Sequence, residues 1–318
     1  MELNFNLDIL SQNIIVNSKK TKYLEFISNF DDISIFSQPW WLDAVCGKDN
    51  WDVVLVERDG TPVASLPYFI KKKLFLRVIT QPPLTQTIEP LFDIKAKNID
   101  EKITKYISEI IAKLPRVAKI QMNLHSSITN WLPFFWEGYS QSNYYTYILD
   151  SENDTESIWR DMSGKRRTEI RKSMHNEITI TSKEPIETFY KLYRDTFLRK
   201  KRNPPYKKEF IENLINTCLQ RQSGRLLFSK NREGIPLSCA FFVWDNKKTY
   251  YLLGGLNAKE NTYGAHSLLL WDAIKYSIDS SKSFDFEGSM DKGIGQFFSS
   301  FGSKRNSYFS MTKNRFKI

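Results

Sequence analysis

The sequence predicts an α/β protein in which mixed, mostly antiparallel sheets are flanked by helices, built as two copies of one unit. Three paired segments carry this reading. LVERDGTPVASLPYF (55–69) and FSKNREGIPLSCAFF (228–242) each give a strand, an acidic-Gly turn, a proline and a second strand. Asp59-Gly60 and Glu233-Gly234 are the hairpin signals. LPRVAKIQMNL (114–124) and SSKSFDFEGS (280–289) each place a strand after an amphipathic helix. PFFWEGYSQSNYYTYI (133–148) and QFFSSFGSKRNSYFSM (296–311) each give Phe-Phe, a glycine, a polar loop and an aromatic strand. Matches in the same order are the mark of duplication. The Pro-rich stretch TQPPLTQTIEP (80–90) accommodates the longer connection that the first copy needs.

Each copy then reads as helix, hairpin, strand, helix, strand, short helix, strand. In the second copy, helices are expected near 155–174, 185–199, 207–221 and 264–280. Strands are expected near 177–181, 225–230, 236–243, 248–254, 283–287 and 306–311. Antiparallel hairpins followed by a strand–helix–strand crossover make a mixed sheet covered by helices. The boundary is expected at 150, giving domains 1–150 and 151–318.

With 318 residues the chain exceeds what one core usually serves, in keeping with two domains. No apolar run reaches the length of a transmembrane helix. The start, MELNFNLDILSQN, lacks the basic and apolar regions of a signal peptide. Cys46, Cys218 and Cys239 are scattered without C-x-x-C spacing, which fits a reducing, cytoplasmic setting and gives no zinc site. His125, His175 and His266 lie far apart, so no metal is expected. The formal charge of +10 favours phosphate-bearing partners: nucleic acid, anionic lipid or phosphorylated small molecules.

The segment YYLLGGLNAKENTYGAHSLLLWDAIKYSIDSSKSFDFEGS (250–289) runs strand, loop, helix, then a strand ending in Asp-Phe-x-Gly. With MSGKRRTEIRKS (162–173) before it and FFSSFG (297–302) after it, the chain resembles tandem GNAT acyltransferases. More specifically it resembles their Fem-like branch, which includes peptidoglycan-bridge aminoacyltransferases and acetyltransferase-like proteins of polysaccharide operons. The resemblance spans about residues 37–311 and is strongest from 155 on. It implies acyl transfer to an amine, with acyl-CoA or aminoacyl-tRNA as donor substrate and no tightly bound cofactor. Two positions depart from the family. The acyl-CoA loop prefers Gln/Arg-x-x-Gly-x-Gly/Ala, whereas Asn261 opens it here and His266 closes it, with Gly264 kept. Peptidoglycan-bridge enzymes tend to carry a lysine where Gln296 stands.

Such transfer needs a donor carbonyl held beside the amine, a proton acceptor, and hydrogen-bond donors for the oxyanion. No G-x-S-x-G and no Cys–His pairing marks a covalent nucleophile. Asp285 and Glu287 stand at strand spacing on one face, and Gly288 and Ser289 close that strand. Ligands in open α/β sheets sit beyond such ends. Glu287 or Asp285 would orient or deprotonate the amine, with Ser289 and Gln296 as donors; the plainer account of Asp285 is a turn acid. Phe297, Phe298 and Phe301 share a helical face and read as core.

RDMSGKRRTEIRKS (160–173) carries Arg166, Arg167 and Arg171, and the forks of Arg167 and Arg171 share one face. RKKRNPPYKK (199–208) adds Arg199, with Tyr206 available for stacking. Solvated charged faces are the plainer account of both runs. Gly264 and His266 stand nearest the expected cleft. Trp41, with Trp40, lines a sugar or peptide site or packs as core.

The function expected is transfer of an acyl or aminoacyl group to an amine of a cell-envelope saccharide or peptidoglycan precursor, without a covalent enzyme intermediate. The site falls in the second copy, and the first serves structure or acceptor binding. The partners are a phosphate-bearing small molecule or tRNA donor and an envelope-precursor acceptor, with peripheral membrane association and no DNA. The alternative is a non-catalytic binder of RNA or phosphorylated envelope intermediates on a transferase fold.

Overall fold

The computed structural model describes residues 18–73, 75–93, 99–260 and 263–315. They fall into two compact units, Met1–Asn143 with Tyr308–Ile318, and Tyr144–Ser307. In chain order the first half forms α1 (Ser18–Ile27), a 3-10 turn (Ile35–Ser37), α2 (Pro39–Cys46), β1 (Trp51–Arg58), β2 (Thr61–Lys73), β3 (Leu76–Thr80) and β4 (Leu91–Phe92). Then come α3 (Ile99–Lys113), β5 (Lys119–Asn123), α4 (Leu132–Trp136) and β6 (Ser140–Leu149). The second half forms α5 (Thr155–Asp161), α6 (Gly164–His175), β7 (Thr179–Thr181), α7 (Ile186–Arg199), α8 (Lys208–Gln220), β8 (Gly224–Lys230) and β9 (Pro236–Trp244). It continues with β10 (Lys248–Leu256), α9 (Ala265–Asp279), β11 (Ser283–Asp285), α10 (Lys292–Ser299) and β12 (Lys304–Asn314).

In the first unit β1 and β2 form an antiparallel hairpin. Asp59 and Gly60 both have positive φ, 51° and 80°, the geometry of a two-residue hairpin turn. β3 follows antiparallel, and β5 lies parallel to β3 after the α3 crossover. Acids at the start of α3 and Lys113 at its end complement the helix dipole, and Ile107, Ile110 and Ile111 face the core. In the second unit β8 and β9 form the matching hairpin. Its loop is longer, 231–235, with Asn231 bonding Ile235 through backbone and side chain and φ +80° only at Gly234. β10 follows antiparallel, and β11 lies parallel to β10 after the α9 crossover. From the hairpin to the last strand the elements thus follow the same order in both copies, apart from β4 in the first.

The last strand of each copy pairs in the other unit. β6, which ends the first copy, pairs antiparallel with β11 through Leu149–Phe284 and Ile148–Asp285. β12, which ends the second copy, pairs with β5 from Ser310–Asn123 to Asn314–Lys119. A cut at 150 therefore does not separate the units, because 144–149 belong to the second and 308–314 to the first.

Two elements differ from expectation. The helix expected over 155–174 is broken at Met162-Ser163. The Ser163 hydroxyl accepts from the Arg166 N–H, capping α6, and its own N–H donates to the Ser300 carbonyl. The strand expected to reach 287 stops at Asp285, because Glu287 and Gly288 adopt φ of +64° and +68°. Phe298 and Phe301 are buried with Phe286, Tyr147 and Trp271 in the second core, and Phe297 packs against it.

Candidate active site

Both polar clusters that concern the expected chemistry lie in the second unit. The first is at the end of β11. Parallel pairing with β10 covers only Lys248–Ser283 to Tyr250–Asp285. β10 runs on to Leu256 with β9 as its partner, and its register against β9 shifts between Tyr251 and Leu253. The two parallel strands thus part company just where Glu287 stands.

Asp285 is 1% exposed. Its Oδ1 accepts from the Thr146 hydroxyl and from the Glu287 N–H at 2.8 Å. That turn swings Glu287 into the left-handed region, which costs a non-glycine residue about 1–3 kcal/mol. Gly288 cannot carry a side chain: an added Cβ would press on the Tyr145 carbonyl and lie 2.9 Å from the Thr146 Cα. The result is a carboxyl on Glu287 whose Oε1 is buried without a hydrogen-bond partner among the described residues. Burial, and then the Asp285 carboxyl, push Glu287 well above the usual carboxylate range, against the pull of Lys248. The two acids therefore do not act as a pair on one strand face. Asp285 is a turn acid, and Glu287 is the carboxyl with spare capacity.

The second cluster sits at the first turn of α9. Gly264 precedes it at φ +76°, and an added Cβ there would lie 2.6 Å from the Glu169 carbonyl of α6. α6 and α9 are pinned together by Arg166, which is 7% exposed. Arg166 donates to the Glu169 carboxylate, to Ser267 Oγ at 2.5 Å and to Ser300 Oγ at 3.0 Å. Its guanidinium lies 4.2 Å from the Phe297 ring centroid. Ser267 in turn donates to Glu169 at 3.1 Å. An internal carboxylate thus already stands at the α9 N-terminal turn, where an anion is favoured. His266 shares a 2.9 Å hydrogen bond with the Tyr251 hydroxyl through Nε2, while its Nδ1 is buried without a partner among the described residues. Burial, reinforced by the Arg166 cation, pulls His266 down to about 4, so the ring is neutral at physiological pH. Asn261, expected to open the acyl-CoA loop, lies outside the described residues.

The other expected contacts fall elsewhere. Arg167 is spent on backbone: it donates to the carbonyls of Trp159, Arg160 and Met162, closing the C-terminus of α5. Arg171 is exposed and lies over Trp159 at 5.4 Å. Arg199 is exposed at the end of α7, and Tyr206 stacks on Phe210 at 5.2 Å. Ser289 Oγ accepts from the Asp291 N–H at 3.0 Å, a local turn before α10. Gln296 is exposed on α10, whose Gly295 and Phe298 are buried. Trp41 is fully buried in the first unit, donates to Thr85 Oγ1 at 2.9 Å and packs edge-on against Phe36 and Trp40. That burial keeps Trp41 from any ligand, so it is core and not a substrate contact.

Residues 162–294 match the family described as acetyltransferase (GNAT) domain. Over these residues the chain is similar to the GNAT domain. Solved structures share the fold across most of both units. FemX is 13% identical, with a TM-score of 0.67 over 90% of this chain and 94% of that one. L-PGS from Bacillus licheniformis is 12% identical, with a TM-score of 0.54 over 94% and 93%. A tandem GNAT protein from the clavulanic acid biosynthesis pathway is 9% identical, with a TM-score of 0.51 over 84% of each chain. No curated protein matches the chain at comparable significance. The match to the GNAT domain runs from α6 into α10 and includes Arg166, His266, Asp285 and Glu287. Thr146, Glu169, Tyr251 and Ser267 were not singled out by sequence. Thr146 is 139 residues from Asp285, and Ser267 is 101 from Arg166, so no local spacing announces either contact. Among the described residues no group of acids, histidines and cysteines could hold a metal.

Proposed function

We propose that the GNAT-like region transfers an acyl group directly to an amine of a cell-envelope saccharide or peptidoglycan precursor, with Glu287 as the proton acceptor. The observation that carries this reading is the buried, unpartnered Oε1 of the half-buried Glu287, held in a strained backbone at the end of β11. A protein bears both costs where a ligand repays them. A carboxyl raised above the ordinary carboxylate range is a stronger base than an ordinary one. An ammonium arriving beside Glu287 supplies the missing partner and favours the carboxylate. The carboxylate takes one ammonium proton, and the freed amine attacks the donor carbonyl. The tetrahedral intermediate collapses by breaking the acyl–oxygen bond, its second nitrogen proton passing to the departing tRNA oxygen. Asp285 positions Glu287 through its N–H, and Gln296 offers an amide to the oxyanion.

Direct transfer is supported by the thiols. Burial holds Cys46 and Cys218 up at about 12 and Cys239 higher still, which leaves little thiolate to attack a donor. In this reading the donor is aminoacyl-tRNA. The Glu169 carboxylate at the α9 turn opposes a pyrophosphate there, and FemX is among the fold neighbours. Acyl-CoA is the donor to compare against it. GNAT proteins take their acyl donor as a substrate, with no cofactor held tightly.

Glu287→Gln tests the reading, since it removes the base and keeps the shape. Turnover with charged tRNA and an amine acceptor should fall by about 10²–10⁴ while donor binding stays. Wild-type rates from Glu287→Gln would sink the assignment of Glu287. Salt-sensitive tRNA binding with no turnover on any donor would sink transfer itself and leave a binder.

A further inference from the structure

The first unit carries a basic, apolar-tipped surface that contains none of the residues proposed above for acyl transfer. At the β2–β3 turn Phe75 is fully exposed and Leu76 is 50% exposed. Beside them opens a recess of about 750 Å³ lined by Phe75, Leu76, Arg77, Arg116, Lys313 and Arg315, among others. Four lining residues are cations, and no carboxylate lines it among the described residues. The strands explain the convergence. Ala118 N–H donates to the Arg77 carbonyl, and Arg315 N–H to the Ala118 carbonyl, each at 2.9 Å. These bonds bring the start of β3, the entry to β5 and the exit of β12 to one end of the sheet. Lys313 is partly committed, donating to the Glu137 carbonyl and lying 5.1 Å from the Tyr139 ring centroid. Arg77, Arg116 and Arg315 are exposed and make no ion pair among the described residues. Lys72 also stands directly opposite Arg77 across the β2–β3 ladder, a like-charge pair that costs stability until an anion joins it.

We propose that this surface docks on an anionic lipid bilayer, with Phe75 and Leu76 entering the headgroup–acyl boundary and Arg77, Arg116 and Arg315 meeting lipid phosphates. The charge is complementary to an anionic leaflet, where each nearby basic residue strengthens attraction. Two adjacent apolar side chains at the tip of a basic hairpin match the boundary itself. A nucleic acid would use Phe75 for stacking but offers nothing to Leu76. Among the described residues no helix is long and apolar enough to cross a membrane.

Cosedimentation of the full chain with phosphatidylcholine vesicles, with and without phosphatidylglycerol, tests this. Binding is expected only to the anionic vesicles and should weaken with salt. Arg116→Ala and Arg315→Ala should each weaken it about fivefold, the size expected for one basic residue near such a surface. Phe75→Ser should also weaken it severalfold with the melting temperature unchanged, as all these side chains are exposed. The triple alanine variant of Arg199, Lys200 and Lys201, which removes charge elsewhere, should keep vesicle binding. The proposal is overturned if anionic vesicles are not bound, or if the Arg199 triple variant loses binding while the recess variants keep it. It is overturned equally if Phe75→Ser keeps vesicle binding while single-stranded RNA binds the recess arginines more tightly than vesicles do.

Discussion

Glu287 and His266 are both half-buried titratable side chains with a buried, unpartnered atom, and their effects on stability run in opposite senses. The folded state raises Glu287, so it holds more protons than the unfolded chain between the ordinary glutamate value and the raised one. Stability from this group is present below the ordinary value and is lost as pH rises through the raised one. Glu287→Gln should therefore melt higher than wild type at mildly alkaline pH and nearly equal to it at acid pH, as followed by thermal unfolding. The folded state lowers His266 to about 4 from 6.5. Its contribution is present above 6.5 and is lost as pH falls from there toward about 4. A His266→Gln variant should show a flatter acid limb in the same experiment. Arg166 and Glu169 form a buried ion pair, and removing one partner strands the other. Arg166→Ala should cost about 3–5 kcal/mol, measured by denaturant unfolding. The arginine run was legible in the sequence, but which of its arginines turn inward was not. Arg166 and Arg167 adjoin each other, yet one pins two helices and the other closes a helix end, because only tertiary packing decides where each fork lands.

Among the elements, α5 depends on Arg167 for its last carbonyls. Arg167→Ala should lower stability by about 1.5–3 kcal/mol, the range for hydrogen bonds to a charged group, and leave donor affinity unchanged. A large loss of tRNA affinity at full stability would instead make Arg167 a ligand contact. Close approach between elements falls at Gly255 of β10, where an added Cβ would lie 2.5 Å from both the Leu192 carbonyl carbon and the Tyr193 nitrogen. Gly255→Ala must displace α7 bodily, so a sharply lowered melting temperature is expected. The elements were the most readable level. Asp59-Gly60 announced its hairpin, and the α9 crossover followed from helical periodicity. The end of β11 was misread because alternation in SFDFE continues smoothly past Asp285. What stops the strand is a side-chain bond from Asp285 to the Glu287 N–H, which the pattern of apolar residues does not encode.

For the molecule as a whole, the duplication was legible because both copies keep the same local signals in the same order. The exchange of final strands was not, since β6 and β12 read alike and either could close either sheet. That exchange makes fragment boundaries testable. A fragment spanning 144–307 should show cooperative thermal unfolding, whereas 151–318 lacks the β6 strand and the Thr146 hydroxyl that holds Asp285. Equal cooperativity of the two fragments would show that β6 is dispensable. The exchange also sets an order on the ribosome. Domains are usually completed from the N-terminus as the chain emerges, at ~5–20 residues per second. Here β5 acquires its β12 neighbour only after the whole second unit has been made. The half that is synthesised first is therefore the half that finishes last. For on the order of ten seconds at that elongation rate, its open sheet edge must be shielded from other nascent chains.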